Sequence, residues 1–497
     1  MIRKVRTILA AVLFVLITLL FLDFTGTLHH WLSWLAQIQF LPAVMALNVI
    51  VVVALLTLTL LFGRIYCSII CPLGIFQDIL ARLRRKKNKY SYSKEVIWLR
   101  YPVLAIFIFA GIAGCGSLFQ LLAPYSSYGR IATMIFQPLW KMGNNVLAVL
   151  AERADSYAFY SVDTWMRSMP VFIIAATTLV LLVVLAWRGG RTYCNTICPV
   201  GTILSFFARF SWFKIRFNVD KCKNCSLCSK NCKAACIDYK THSIDYTRCV
   251  VCGNCMDQCK FGALEYTIKS GITSKANKSV KTNATSPIDA SKRSFLLASA
   301  LVSTAAMAQK KEKLMDGGLA EIEDKVAPER QTPLTPPGSL SFQNLATRCT
   351  GCQLCVSECP NQVLRPSSDL MHLMQPTMSY EHGYCRPECT RCSEVCPAGA
   401  IQTIDKEEKT AIQIGHAVWI KKNCVPITDG VECGNCARHC PSGAIEMVPL
   451  DENDEESPMV PAINEAACIG CGACEYVCPS RPFSAIYVEG HEVHKKI

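Results

Sequence analysis

Residues 348–360 read RCTGCQLCVSECP, which places Cys349, Cys352, Cys355 and Cys359 at a C-x2-C-x2-C-x3-C-P spacing. Three cysteines this close together in one loop can ligate three corners of a [4Fe-4S] cube, and the fourth reaches across to a second cube. Three more groups of four follow, each ended by a proline: Cys385, Cys389, Cys392, Cys396; Cys424, Cys433, Cys436, Cys440; and Cys468, Cys471, Cys474, Cys478. Sixteen thiolates fit four clusters with none left over, so residues 347–497 are predicted to form a four-cluster polyferredoxin domain.

Two further cysteine ladders lie earlier in the chain. The first comprises Cys222, Cys225, Cys228 and Cys232, with Cys236 four residues further on, and the second comprises Cys249, Cys252, Cys255 and Cys259. Together they resemble a bacterial two-cluster ferredoxin. The resemblance implies one cluster on Cys222, Cys225, Cys228 and Cys259, and another on Cys249, Cys252, Cys255 and Cys232, with Cys236 as the alternative to Cys232. Structural zinc needs only C-x2-C pairs and does not explain the repeated third and fourth cysteines.

The composition of the 497 residues points away from a soluble enzyme. Hydrophobic residues make up 51% of the chain, and the mean hydropathy is +0.26. Four apolar runs, at residues 7–22, 40–63, 101–123 and 170–187, can each cross about 30 Å of hydrocarbon as a helix. The first run could instead be a cleaved signal peptide, but no small-x-small cleavage site follows it. Thirty cysteines, mostly in ladders, also exclude a disulfide-rich secreted domain, and a soluble hydrolase or a nucleic-acid binder fits poorly.

The distribution of charge predicts an orientation in the membrane. Residues 1–308 carry 34 Lys and Arg against 12 Asp and Glu, whereas residues 309–497 carry 17 against 26. Nine Lys and Arg lie in residues 64–100 and none in residues 23–39. The positive-inside rule therefore places the N-terminus, the 64–100 loop and the first ferredoxin domain in the cytoplasm of a bacterium, with the chain in the inner membrane. Residues 124–169 are expected outside, as an amphipathic helix on the membrane surface.

Two linkers flank a short apolar segment. Residues 270–293 are rich in Ser, Thr, Lys and Asn, and residues 309–346 contain a cluster of prolines. Between them, residues 294–308 resemble the apolar part of a twin-arginine export signal in which Lys292 replaces the first arginine. Two interpretations remain open: a buried or surface helix within a linker, or a short fifth crossing that puts the acidic C-terminal domain in the periplasm.

Two copies of a C-x3-C-P-φ-G motif follow the second and fourth apolar runs. Their cysteines are Cys67 and Cys71 in one copy and Cys194 and Cys198 in the other. In a helix, cysteines at i and i+4 share one side, and the proline ends or bends that turn. The four thiols are predicted to converge on one shared cluster or metal, with a redox disulfide and plain packing as the alternatives. Cys115 fits no pattern and is expected to be a buried hydrophobic residue.

These features together resemble the membrane subunit of the Nap-type quinol dehydrogenase (NapH-like), which serves periplasmic nitrate reduction. Residues 309–497 resemble its partner ferredoxin subunit (NapG/MauM-like), because of Pro333-Leu-Thr-Pro-Pro337-Gly338, the four cysteine groups, and the long gap between Cys424 and Cys433. The resemblance implies a fusion of the two subunits. It also suggests that, in the C-terminal domain, group one pairs with group four and group two with group three.

The expected fold is a membrane α-helical bundle of four spans, with a candidate short fifth, plus two α+β ferredoxin-like iron-sulfur domains. The predicted divisions are residues 1–210 (transmembrane), 211–269 (two-cluster ferredoxin), 270–293 (linker), 294–308 (fifth segment or export signal), 309–346 (linker) and 347–497 (four-cluster domain).

The expected function is electron transfer from a quinol, menaquinol by the resemblance, through six [4Fe-4S] clusters, or seven if the membrane cysteines bind one. The chain would then be an electron-transfer component of a quinol dehydrogenase, with the membrane, the quinone pool and a periplasmic reductase or cytochrome as partners, and no nucleic acid. His29 and His30, just outside the first span, are candidates for a quinone site. The alternative is an oxidase-maturation or regulatory polyferredoxin that handles copper or its reduction. The sequence contains no phosphate loop, dinucleotide fingerprint, flavin motif or nucleophile constellation.

Overall fold

The computed structural model describes residues 2–84, 90–268, 325–451 and 457–497. The chain divides into one compact unit, made of residues 1–269 and 328–497, and a second unit of residues 270–327. The predicted linker 270–293, the predicted segment 294–308 and residues 309–324 of the second predicted linker lie outside the described residues. The first unit contains all the cysteines of the chain.

Helices dominate the N-terminal part. In chain order they are α1 (Ile2–Leu22), α2 (His29–Leu32), α3 (Trp34–Gln37), α4 (Phe40–Met45), α5 (Val49–Phe62), α6 (Tyr66–Ile69), α7 (Pro72–Leu83), α8 (Ile97–Ile112), α9 (Gly116–Leu122), α10 (Pro124–Ile131), α11 (Gln137–Glu152), α12 (Met169–Gly189), α13 (Thr192–Thr196) and α14 (Pro199–Ala208), with a π-helical turn at Ala132–Phe136. Among the described residues, α1 and α12 are the two helices long and apolar enough to cross a membrane. Each is about 30 Å long at 1.5 Å per residue.

The other two predicted spans are interrupted. Residues 40–63 form α4 and the 14-residue α5, because Leu47 adopts a positive φ of 55° between them and the side chain of Asn48 accepts a hydrogen bond from the N–H of Val51 in the first turn of α5. Residues 101–123 belong to the 16-residue α8 and the short α9, which part at Gly114 with φ +72°. The structure therefore gives two long apolar helices where four uninterrupted spans were predicted.

Each C-x3-C-P copy joins a long helix to a short one. Gly63 follows the last residue of α5 and Gly190 follows that of α12, with φ angles of 79° and 72° that favour glycine. Pro72 and Pro199 are the first residues of α7 and α14, where the N–H that proline lacks has no helical partner in any case. In both copies, a glycine thus ends one helix and a proline begins the next.

The first ferredoxin region has two short antiparallel hairpins. Its elements are β1 (Lys214–Phe217), α15 (Leu227–Lys230), β2 (Ile237–Asp238), β3 (Ser243–Ile244), α16 (Asn254–Gln258) and β4 (Leu264–Thr267). β1 pairs with β4 along its whole length and β2 pairs with β3. The pairing of β1 with β4 ties the start of the region to its end and encloses the cysteines between them.

The C-terminal region repeats this plan. Its elements are α17 (Phe342–Arg348), α18 (Leu354–Glu358), β5 (Leu364–Pro366), β6 (Pro376–Met378), α19 (Arg391–Glu394), α20 (Lys406–Thr410), β7 (Ile412–Trp419), α21 (Val425–Thr428), α22 (Asn435–Arg438), β8 (Ile445–Pro449), β9 (Met459–Ile463), α23 (Ala473–Val477) and β10 (Ile486–Lys496), with a 3-10 turn at Lys421–Asn423. β5 pairs with β6, β8 with β9, and β10 returns to pair with β7.

The two ferredoxin regions contact opposite ends of α1. Near its start, Arg3 forms an ion pair with Asp257 of the first region at 3.0 Å. At its other end, Gln137 donates to the carbonyl oxygen of Phe21 at 3.2 Å and to that of Ser357, in the C-terminal region, at 3.4 Å. The length of α1, about 30 Å, therefore separates the two sets of contacts.

Candidate functional site

The first ferredoxin region gathers four cysteines around one cavity, namely Cys222, Cys225, Cys228 and Cys259. Phe217, Phe261 and Leu264 form an apolar wall beside them. The loop that carries the first three cysteines is tight because Asn224 and Ser226 adopt positive φ angles of 50° and 59°. The cavity thus combines four thiols with an apolar wall.

A second cavity in this region is lined by five cysteines, namely Cys232, Cys236, Cys249, Cys252 and Cys255. The sulfur atoms of Cys232 and Cys236 are 3.5 Å apart. Hydrogen bonding from Cys236 lowers the pKa of Cys232 to about 7, whereas the same contact and a further one to Cys249 raise the pKa of Cys236. Both sulfur atoms line this cavity, so Cys236 and Cys232 both lie at the second site.

In the C-terminal region, each set of three cysteines meets the fourth cysteine of another group. Cys396 lies close enough to Cys349, Cys352 and Cys355 to raise the pKa of each of these thiols. Cys359 lines one cavity with Cys385, Cys389 and Cys392. In the same way, Cys478 lies with Cys424, Cys433 and Cys436, and Cys440 lies with Cys468, Cys471 and Cys474. Each set offers four thiols to one site.

The expected pairing of group one with four, and of two with three, is wrong. Group one pairs with group two and group three with group four, because the chain between each pair folds back as a local hairpin, β5 with β6 and β8 with β9. Groups two and four also touch, since the backbone N–H of Cys385 donates to the carbonyl oxygen of Cys471 at 2.9 Å. In space, the sites therefore follow one another in the order group one, group two, group four and group three.

The two C-x3-C-P motifs bring four buried thiols together, those of Cys67, Cys71, Cys194 and Cys198, each 4% exposed. Burial raises the pKa of Cys71 and of Cys198, and the neighbouring thiols raise both further. No disulfide joins any of these cysteines in the structure. The four thiols thus form a seventh cysteine site, inside the helical region that joins the two ferredoxin regions.

The repeat around these thiols extends to G-R-x-Y-C-x3-C-P-φ-G. Arg64 donates to the carbonyl oxygen of Cys194 at 3.2 Å, and Arg191 donates to that of Cys67 at 2.7 Å. Each copy of the repeat therefore holds the first cysteine of the other copy. Sequence reasoning missed both arginines, although their equal spacing before the two cysteine pairs was a signal.

The two glycines that close the repeat allow this close packing. A β carbon on Gly74 would lie 2.3 Å from the carbonyl oxygen of Cys67, and one on Gly201 would lie 2.5 Å from that of Cys194. Both distances are too short for any side chain, so the helices that begin at the prolines can pass the cysteine loops only at glycine.

Positive charge exceeds negative charge beside the four thiols. Asp78 is buried and pairs with Arg191 at 2.8 Å, with Arg6 at 3.1 Å and with Lys233 at 3.2 Å. Burial alone would raise the pKa of Asp78, yet these cations hold it well below its usual range. Arg64 is fully buried and donates to carbonyl oxygens, an amide oxygen and a cysteine sulfur, and no carboxylate pairs with it in the described part of the chain.

Comparisons with known proteins match the same regions. A 4Fe-4S binding domain matches residues 44–90 and 169–219, and 4Fe-4S dicluster domains match residues 348–400 with 431–481, and residues 245–363. The methylamine utilization ferredoxin-type protein MauM of Paracoccus denitrificans is 30% identical over 168 residues, which are 32% of this chain and 73% of MauM. The chain belongs to the ferredoxin-type 4Fe-4S proteins.

Two Escherichia coli relatives of this ferredoxin-type protein extend the comparison. The ferredoxin-type protein NapG is 28% identical over 175 residues, which are 33% of this chain and 75% of NapG. The putative electron transport protein YccM is 23% identical over 231 residues, which are 44% of this chain and 55% of YccM. No solved structure matches the chain.

The cysteine sites of this ferredoxin-type protein fit 4Fe-4S clusters. Backbone N–H groups donate to fourth-cysteine sulfurs, from Ala263 to Cys259 and from Ala485 to Cys478, both at 3.2 Å. Such hydrogen bonds stabilise the reduced cluster and tune its potential. In the residues that the structure describes, no three Cys, His, Asp or Glu side chains are arranged to hold a single metal ion.

The histidine candidates do not form a common site in the ferredoxin-type protein. His29 is buried, neither of its ring nitrogens has a hydrogen-bond partner in the structure, and burial lowers its pKa. His30 is exposed and lies edge-on to Trp31. Cys115, which was expected to be buried, is exposed because it lies in the break between α8 and α9.

Proposed function

We propose that this chain is a membrane-bound electron-transfer protein that oxidises a quinol, such as menaquinol, and passes the electrons through [4Fe-4S] clusters to a periplasmic reductase or cytochrome. The observation that carries the proposal is the placement of the cysteine sites. Ferredoxin sites lie against both ends of α1, and the four-cysteine site lies within the helical region between them. The similarity to YccM, which is named as a putative electron transport protein, supports the same conclusion.

The proposed location is a bacterial inner membrane, with residues 211–269 in the cytoplasm and residues 347–497 in the periplasm. Two long apolar helices support membrane association, and the excess of Lys and Arg in residues 64–100 favours this orientation. α5 and α8 are proposed to complete a four-span arrangement, and the segment 294–308 to provide the fifth crossing. A reporter enzyme fused after Ile497 that is active only in the cytoplasm would contradict this topology.

Six clusters are proposed, two on the sites of residues 222–259 and four on the sites of residues 349–478. When bound, each cluster supplies one-electron redox chemistry. The chain itself supplies the thiolates, the N–H donors to sulfur and the apolar walls, and these set the potential. Iron analysis of protein purified without oxygen should give about 24 atoms per chain, or about 28 with a seventh cluster; about eight would contradict the C-terminal sites.

The four-cysteine site is proposed to hold the seventh cluster. A buried guanidinium such as that of Arg64 requires a nearby anion, and a cluster on four thiolates is anionic, whereas a disulfide is neutral. The match of a 4Fe-4S binding domain to residues 44–90 and 169–219, which contain both motifs, supports this assignment. Cys198→Ser should therefore lower the iron content by about four atoms per chain, whereas the matched control Cys115→Ser should leave it unchanged.

Cluster reduction by a quinol is the direct test of the function. Oxidised protein is mixed with menadiol, a soluble menaquinol analogue, without oxygen, and the loss of cluster absorbance and the EPR spectrum are followed. Reduction by menadiol supports the proposal. Reduction by a low-potential ferredoxin but not by menadiol would contradict quinol oxidation, and copper binding without any reduction would favour the maturation alternative.

A further inference from the structure

A cavity of about 400 Å³ lies where α11, the segment 163–167 and the start of α12 meet. Most of its wall is apolar or aromatic, including Met134, Leu139, Met142, Trp165 and Phe172. This volume is within the range of sites that enclose a small organic molecule. None of the cysteines described above lines this cavity.

The cavity opens on an apolar surface. Leu139 and Met142 are 61% and 56% exposed, and both line the cavity. Phe172 lies in the first turn of α12, which is one of the two helices long enough to cross a membrane. A lipid-soluble ligand therefore has a direct way into the cavity from the bilayer, at the level where that helix begins.

Two groups in the cavity can accept protons. Lys141 is 7% exposed, lines the cavity and makes no hydrogen bond or ion pair in the described part of the chain, and Asp163 lines the same cavity and is exposed. Burial and, to a smaller extent, the nearby Arg167 lower the pKa of Lys141 to about 8, although Asp163 acts in the opposite direction. A fraction of Lys141 is therefore a neutral amine near neutral pH, whereas an exposed lysine is almost fully charged.

Arg167 connects this cavity to the group-one cysteines. Arg167, which lines it, donates to the carbonyl oxygen of Val356 at 2.6 Å, on the short helix that carries Cys355. The positive charge of Arg167 interacts electrostatically with the thiols of both Cys355 and Cys359. Cys355 belongs to the group-one site, whereas Cys359 completes the group-two site. One end of the cavity therefore faces both sites.

We propose that this cavity is the site of quinol oxidation, a proposal that rests on the function proposed above. The two O–H bonds of the quinol break, and the ligand leaves as the quinone. One proton passes to the neutral amine of Lys141, and the other passes to the carboxylate of Asp163, which exchanges it with water. The two electrons leave for the [4Fe-4S] clusters of groups one and two, one electron to each, so that protons and electrons balance.

A second cavity, of about 420 Å³, is a poorer candidate. It lies between α4, α8 and α9 and reaches Cys349. Apart from the thiol of Cys349, no titratable side chain lines it in the described structure. A quinol bound there would have no proton acceptor, so this cavity provides a matched negative control.

Binding is tested on the full chain in detergent with the quinol analogue 2-heptyl-4-hydroxyquinoline N-oxide, whose fluorescence is quenched when it binds. Met142→Trp fills the proposed cavity from its exposed side and should weaken binding at least about tenfold. Ile108→Trp, in the second cavity, should leave the affinity within about twofold. The iron content of each variant checks its folding, and Leu139→Trp serves as a second filling variant.

Proton transfer is tested by the rate of cluster reduction by menadiol. In the unchanged chain the rate should rise with pH through about pH 8, as Lys141 loses its proton, and Lys141→Met should lower the rate at least about tenfold and remove this rise. Asp163→Asn should slow reduction without changing inhibitor binding, and Lys406→Met, an exposed control, should change neither.

A failure of the cavity assignment can be distinguished from a failure of the proposed quinol oxidation. If menadiol reduces the unchanged chain, and Met142→Trp and Lys141→Met both behave like it, the cavity assignment is wrong and quinol oxidation stands. If the unchanged chain neither binds the inhibitor nor is reduced by menadiol, quinol oxidation itself is wrong and the site with it.

Discussion

Replacing Asp78 by asparagine should destabilise the folded protein by about 3–5 kcal/mol. The carboxylate is 5% exposed and pairs with Arg191, Arg6 and Lys233 at 2.8, 3.1 and 3.2 Å. These cations come from the second motif, from α1 and from the first ferredoxin region, so one carboxylate joins three parts of the chain. Asparagine has nearly the same shape but leaves all three cations without this counter-charge.

The magnitude follows from the buried ion pairs around Asp78. At about 3 Å and an effective dielectric constant of about 20, each pair is worth roughly 5 kcal/mol of attraction. Most of that attraction is offset by the cost of removing the charges from water, and what remains when one partner is lost is the cost of uncompensated buried charge. Lys233→Met is the matched control. It removes a surplus cation whose ammonium lacks hydrogen-bond geometry to Asp78, and it should cost less than about 1 kcal/mol.

The assay is thermal unfolding of iron-loaded protein in detergent, with all variants scanned at the same rate because unfolding that releases iron is irreversible. Asp78→Asn should lower the melting temperature by at least about 5 °C. The depressed pKa of Asp78 also fixes the sign of the pH effect: its stabilisation is complete above the ordinary carboxyl pKa and is lost as the pH falls toward the folded value. A melting temperature within 1 °C of the unchanged chain, or a larger fall for Lys233→Met, would refute the reasoning.

Three further predictions follow from the contacts. Because Cys349 and Cys396 are assigned to the same cluster, the double variant Cys349→Ser/Cys396→Ser should lose about four iron atoms per chain, as either single variant does, and a loss of about eight would contradict the pairing. Gly201→Ala should lower the melting temperature, since its β carbon would lie 2.5 Å from a cysteine carbonyl oxygen, whereas Gly143→Ala, with nothing within 4 Å, should stabilise α11 by up to about 1 kcal/mol. Asp257→Ala breaks a solvent-exposed ion pair and should change the free energy of unfolding by less than about 1 kcal/mol, as measured by chemical denaturation.

The cysteine ladders predicted which thiols would lie together locally, because three cysteines separated by only two residues each must share one loop. They could not predict which group supplies the fourth thiol in the C-terminal region. That choice depends on the hairpins β5–β6 and β8–β9, whose strands contain no cysteine and whose closure decides which groups meet. Residues 222–259 contain only two ladders, so the fourth cysteine of each ladder could be assigned only to the site of the other ladder.

Hydropathy predicted helices but neither their breaks nor the cavity between them. An apolar run has no charge to mark a turn, so the breaks at Leu47 and Gly114 appear only in the backbone conformation. Lys141 was not singled out because a lone lysine in an aromatic segment is usually solvated. Its burial depends on the packing of residues 163–167 and Phe172 beside it, which no local pattern records.

If the chain oxidises a quinol in the cavity, as proposed, the order of the C-terminal sites predicts the direction of electron flow. Group one packs on the helical region, where Gln120 donates to the carbonyl oxygen of Cys349 at 3.1 Å. Group two contacts group four through Cys385 and Cys471, and group four shares its exchanged cysteines with group three. On the proposed function, an electron that leaves a quinol beside groups one and two moves away from the membrane by passing from two to four and from four to three. Group three is then the last site before the proposed periplasmic acceptor.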